Sequence, residues 1–256
     1  MPTAEPHNIP VLWREPDFHS NRRLVIWLPG FTGSKEAVAN NLDDLAQAGY
    51  VALSLDPVDH GPRARNPGPE PLNGAGDEFV AYNDGRLYRH FWSILAQTIR
   101  EVSVIIDWAE AELGIAPPVG LGGISMGGDI ALAAAGTDPR ISVVAAAIAT
   151  GDWAKPTSIY KLSAPNEHIQ RQFERYNPLV NVERYRHLPA VAIFCGSEDE
   201  VVPPEGAVRF VQALGPIYEA APERIAITIE ARIAHEFTNS MWQGCLDWFR
   251  RHLEPA

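Results

Sequence analysis

Two cysteines in 256 residues give this chain no disulfide framework. Cys195 and Cys245 each sit among apolar or aromatic neighbours, so buried free thiols are expected. A zinc site lacks the soft ligands it needs, and nothing in the composition calls for a metal or an organic cofactor. Positive charge is also short: 21 Lys and Arg face 32 Asp and Glu, for a net charge of −11. That balance argues against a nucleic-acid backbone or an anionic membrane as partner and leaves a neutral small molecule open. No apolar run approaches the ~20 residues of a membrane span, and Met1 to Pro10 lacks the basic-then-apolar pattern of a signal peptide. A soluble, cytoplasmic protein is the expectation. There is no internal repeat and no low-complexity tract, and the oligomeric state, a homodimer included, is left open by composition.

What the chain does have is a regular alternation of short apolar runs and helical patterns. Leu24 to Leu28, Val51 to Leu55, Val119 to Ile124, Val143 to Ala149, Ala190 to Cys195 and Ile225 to Ile229 read as buried strands. Between them, Glu36 to Ala48, Tyr88 to Leu113 and Asp129 to Ala135 carry helical spacing, and Ser240 to Leu253 closes the chain. This pattern implies an α/β fold, a mostly parallel sheet with helices on both faces, in a single domain over 1–256. Two stretches break the rhythm. Residues 56–85 form a Pro- and Gly-rich crossing, expected as a pocket-wall loop. Residues 151–188 hold helical fragments interrupted by Pro156, Pro165 and Pro178, expected as a lid-like insertion. Both leave the carboxyl ends of strands, where open α/β sheets bind ligands.

Gly123-Ile124-Ser125-Met126-Gly127 stands between one of these strands and an alanine-rich helix. Composition alone gives roughly one G-x-S-x-G match in fifteen such chains, so the pentapeptide needs partners. A serine hydroxyl becomes a nucleophile when an imidazole takes its proton and a carboxylate orients that imidazole. Of the histidines after Ser125, His235 lies between the last strand and the last helix, where a base would be delivered. His252 falls in a charged helix tail, His187 at the wrong end of a strand, and His168 inside the insertion. The acid is expected from the turn Cys195-Gly196-Ser197-Glu198-Asp199-Glu200. Asp199 is preferred; Glu198, Glu200 and, more remotely, Asp152 stay open. For the oxyanion, Met126 supplies one backbone N–H, and the loop Pro29-Gly30-Phe31-Thr32-Gly33 supplies the other, from Phe31 or else Thr32. Phe31, Met126, Trp153 and Tyr160 are candidate apolar wall residues for the substrate.

Together the PGFTGSKE loop, the DPVDHGPR stretch, the GISMGG turn, the CGSEDEVVP loop and AHEF resemble the α/β-hydrolase superfamily, over nearly the whole chain. The likeness is to its dienelactone-hydrolase-like and small prolyl-oligopeptidase-like esterase branch. It implies Ser125 as nucleophile, Asp199 as acid and His235 as base, with Phe31 and Met126 holding the oxyanion. Asp59-His60-Gly61 resembles a turn that shapes the family's pocket wall. Dienelactone hydrolases carry cysteine where this chain has Ser125, so that specificity is not implied. Many relatives have His-Gly where Pro29-Gly30 stands. The expected activity is cleavage of carboxylic esters with small to medium acyl or aryl groups. The alternatives are a peptidase, thioesterase or carbon–carbon hydrolase with the same residues, or a ligand-binding protein without turnover.

Overall fold

The computed structural model describes residues 1–16, 22–64, 86–159, 162, 164 and 166–253. Eight strands form one sheet: β1 (Thr3–Ala4), β2 (Val11–Arg14), β3 (Leu24–Leu28), β4 (Val51–Leu55), β5 (Val119–Ile124), β6 (Ile141–Ala147), β7 (Ala190–Gly196) and β8 (Ile225–Glu230). Their order across the sheet is β1-β2-β4-β3-β5-β6-β7-β8. β2 runs antiparallel to β1 and β4, and every pairing from β4 through β8 is parallel. The helices are α1 (Ala39–Gln47), α2 (Arg86–Leu113), α3 (Met126–Ala135), α4 (Glu167–Tyr176), α5 (Pro204–Leu214) and α6 (Asn239–Leu253).

The continuous apolar strands follow from burial on both faces. In β3, Leu24, Ile26 and Leu28 join one core cluster while Val25 and Trp27 join the other. The first cluster is covered by α2, α3 and α5; the second by Leu42 and Leu45 of α1 and by α6. Trp27 anchors the second side, its ring centroid 4.9 Å from that of Trp242 and 6.4 Å from that of Phe249. β8 departs from the expectation of a buried strand. It is the sheet's edge, and Ile229 is exposed.

Because α1 and α3 cover opposite faces, the chain leaves the adjacent strands β3 and β5 in opposite directions. A crevice opens between their carboxyl ends, the switch point where such sheets bind ligands. Several element boundaries differ from the sequence reading. The β6 run ends at Ala147 because Ile148 turns into the left-handed region (φ 44). The helix expected from Asp129 begins at Met126, directly after the serine. The helix expected over 36–48 starts as a 3-10 turn, Lys35–Val38. β1 and β2 were not anticipated. Within 151–188 lie α4 and a 3-10 stretch, Leu179–His187; of 56–85, only 56–64 are among the described residues. Among the described residues no helix is long and apolar enough to cross a membrane.

Candidate active site

Ser125 sits at the turn from β5 into α3 with φ 52 and ψ −113, backbone angles a side-chain-bearing residue rarely adopts. Local packing over-determines that strain. The Ser125 N–H donates to the Ala147 carbonyl at 2.8 Å, and the Ser125 carbonyl accepts from the Asp129 N–H at 2.9 Å. The glycines at 123 and 127 permit the turn's close approach. A Cβ on Gly127 would lie 2.5 Å from the Leu28 carbonyl oxygen, and one on Gly123 would lie 2.6 Å from the Gly127 carbonyl carbon. Ser125 is thus raised into the crevice at the head of a helix whose first N–H groups have no intrahelical acceptor.

His235 follows β8 on the loop to α6. Its Nε2 is 3.0 Å from Ser125 Oγ, and its Nδ1 is 2.7 Å from Asp199 Oδ2. Asp199 Oδ1 accepts the N–H groups of Val201 (2.9 Å) and Val202 (2.8 Å), and the residue is buried. Each carboxylate oxygen therefore has a fixed partner, which holds the imidazole at one orientation. The other candidates lie elsewhere. Glu198 and Glu200 are exposed on the same turn. Asp152 Oδ2 accepts from Arg209 Nη2 at 2.6 Å. His168 Nε2 lies 2.7 Å from Gln172 Nε2 in α4, His187 Nδ1 is 2.9 Å from the Arg184 carbonyl, and the His252 ring makes a tilted contact with that of Trp248.

The loop after β3 folds over the serine and is pinned from below. Gly33 N–H donates to the Gly30 carbonyl, and fully buried Asp56 accepts from the Lys35 N–H at 2.9 Å and from Lys35 Nζ at 2.7 Å. Phe31 is carried on this loop, its ring edge-to-face with His60 (5.4 Å) and Phe91 (5.6 Å). His60 is buried with Nδ1 2.8 Å from the Val58 carbonyl, and burial holds its imidazole below the usual range.

A cavity of about 410 Å³ opens beside Ser125 and His235. Phe31, Met126, Ile148, Val202 and Phe237 give it largely apolar walls. Trp153, expected in the wall, is instead fully buried in the core outside that lining, its carbonyl accepting from Trp92 Nε1. Tyr160 lies outside the described residues. Sequence reasoning did not find Lys155, which lines the cavity and pairs with Asp129 at 2.6 Å. Asp129 is fully buried; burial pushes its carboxyl upward, opposed by Lys155 and by the Thr150 N–H.

The chain belongs to the α/β-hydrolase fold family, which its sequence matches over residues 23–177; residues 101–255 also match the prolyl oligopeptidase family. It is a serine hydrolase. It is 27% identical to an esterase of Escherichia coli, YjfP, covering 96% of both chains. It is 24% identical to a putative esterase of Bacillus subtilis, YitV, over 94% of this chain and 93% of that one. Its fold resembles the crystal structure of TT1662 from Thermus thermophilus, with TM-score 0.74 and 24% identity over 100% of this chain and 98% of that one.

Proposed function

We propose that the protein cleaves carboxylic esters of small to medium acyl or aryl groups through an acyl-enzyme formed on Ser125. The observation that carries this is the connected series Asp199–His235–Ser125, at 2.7 and 3.0 Å, beside an apolar cavity. His235 Nε2 takes the proton from Ser125 Oγ as the oxygen attacks the ester carbonyl. The imidazolium is stabilised by the Asp199 carboxylate. The N–H groups of Met126 and Phe31 receive the charge on the tetrahedral oxygen. Collapse expels the alcohol, protonated by His235, and water repeats the sequence to release the acid. In this reading 151–188 caps the cavity, contributing Lys155 and Leu162 to its wall. A small neutral ester met in the cytoplasm suits a chain with net charge −11.

Amide cleavage is a second reading, favoured by the match to the prolyl oligopeptidase family. The test is turnover of p-nitrophenyl acetate and butyrate against the matching p-nitroanilides, by wild type and Ser125→Ala. Ester turnover that Ser125→Ala abolishes is expected. Equal rates for both proteins would refute the serine mechanism, and faster anilide cleavage would favour the second reading.

A further inference from the structure

We propose that Lys155 reads the acyl part of the substrate, donating a hydrogen bond to an uncharged oxygen carried on the acyl chain. The preferred esters then bear ether, hydroxyl or oxo groups in place of a plain hydrocarbon tail. This rests on the esterase reading above and names the substrate class of the same cavity.

Among the described lining residues Lys155 is the one lysine or arginine, set among Phe31, Phe91, Val201 and Phe237. It is only 8% exposed. Its backbone stands in the left-handed region (φ 41), as does that of Ile148 on the same wall. Such strain persists only where the surroundings over-determine it, and it concentrates at ligand sites. Three contacts fix the residue. Its N–H donates to the Asp152 carbonyl at 3.2 Å, its Nζ donates to Asp129 Oδ2 at 2.6 Å, and Nζ stands 5.3 Å from the centre of the Phe91 ring. An ammonium carries three donors. Asp129 accepts one, and among the described residues no second acceptor lies within hydrogen-bond distance of Nζ. Donor capacity therefore remains on a residue that lines the cavity.

The charge balance decides what it binds. Asp129 lies in α3 four residues after Ser125, fully buried, with its other oxygen held by the Thr150 N–H at 2.8 Å. The ammonium is therefore already neutralised. A substrate carboxylate would add a second negative charge against a buried one within apolar walls, which is unfavourable. A neutral oxygen completes the donor set without that penalty. A buried ion pair stabilises a fold little beyond apolar side chains of equal volume, so stability alone does not explain the pair.

A p-nitrophenyl hexanoate series, with each acyl methylene from C3 to C5 replaced in turn by an ether oxygen, tests this. Each rate is normalised to that ester's hydroxide-catalysed hydrolysis. Wild type is expected to favour at least one oxygenated ester over hexanoate by roughly tenfold in kcat/KM, the scale of one charge-assisted hydrogen bond. In the double variant Lys155→Met, Asp129→Asn, that ratio should fall to about one; the amide oxygen introduced at position 129 still accepts from the Thr150 N–H. No preference in wild type overturns the proposal whether or not the variant folds, and a preference that survives in the variant overturns it too. A p-nitrophenyl hemiglutarate favoured over every neutral ester would overturn the choice of an uncharged ligand. Hexanoate turnover without an oxygen preference removes only this inference, whereas no turnover of any ester removes the esterase reading along with it.

Discussion

Adding one methyl group at Gly127 should separate catalysis from stability. A Cβ there would lie 2.5 Å from the Leu28 carbonyl oxygen and 2.6 Å from that of Pro29, closer than real Cβ atoms come. Both neighbours are backbone, so no rotamer change relieves the contact. Leu28 is tied into the sheet opposite Gly123, and the displacement therefore falls on the loop that carries Phe31. Overpacking of this kind costs roughly 1–3 kcal/mol. In a chain of this size that lowers Tm by roughly 3–10 °C. Misplacing one oxyanion donor lowers kcat by roughly 10²–10³-fold, with little change in KM because that contact forms in the transition state. Gly128→Ala is the control. Its Cβ would meet Ala149 Cβ at 2.5 Å, on the opposite flank of the turn, so Tm should fall similarly while kcat drops less than about tenfold. Steady-state kinetics and thermal melts on both variants decide the matter. If Gly127→Ala keeps kcat within about threefold of wild type, or Gly128→Ala loses as much, the loop does not hold the oxyanion as described.

Asp199→Asn keeps an acceptor for the Val201 and Val202 N–H groups but removes the charge beside His235; kcat should fall roughly 10³–10⁴-fold with Tm nearly unchanged. Burial pushes the Cys195 thiol up to about 12 and raises that of Cys245 as well. Ellman's reagent at pH 8 should therefore find almost no reactive thiol in the native protein and two in guanidinium; fast native labelling would contradict the burial. Burial lowers the pKa of His60, despite nearby Asp56 and Asp59, so the unfolded chain binds its proton first. Stability from this group is intact above the unfolded value near 6.5 and declines as pH falls below it. Melts at pH 7.5 and 5.5 should show a smaller acid loss in His60→Asn than in wild type.

Most of the sheet was legible because double-sided burial writes a strand as an unbroken apolar run, as in Leu24 to Leu28. The same rule misled at its edges. Ile148 and Ala149 are buried and apolar but lie past the end of β6, since burial continues where strand geometry stops. Val11–Arg14 is short, ends in a charged residue and pairs antiparallel, so it offered no run to read. Gly127 and Gly128 look like helix breakers, yet they lie inside α3 because a Cβ would collide with the Leu28 and Pro29 backbone at 127 and with the Ala149 Cβ at 128. For the site, Ser125, Asp199 and His235 could be picked out because each follows a strand end with turn chemistry around it. Lys155 could not. A single lysine before a proline carries no periodic signal, and its meaning depends on Asp129, 26 positions away. Trp153 misled for the complementary reason: an aromatic residue past a strand end suits a pocket wall or a core equally well.

The most direct measurement is fluorophosphonate labelling at neutral pH, followed by peptide mapping by mass spectrometry. One adduct is predicted, on Ser125, abolished in Ser125→Ala and strongly slowed in Asp199→Asn and His235→Ala. An adduct on any other residue, or undiminished labelling of Ser125→Ala, would contradict Ser125 as the nucleophile.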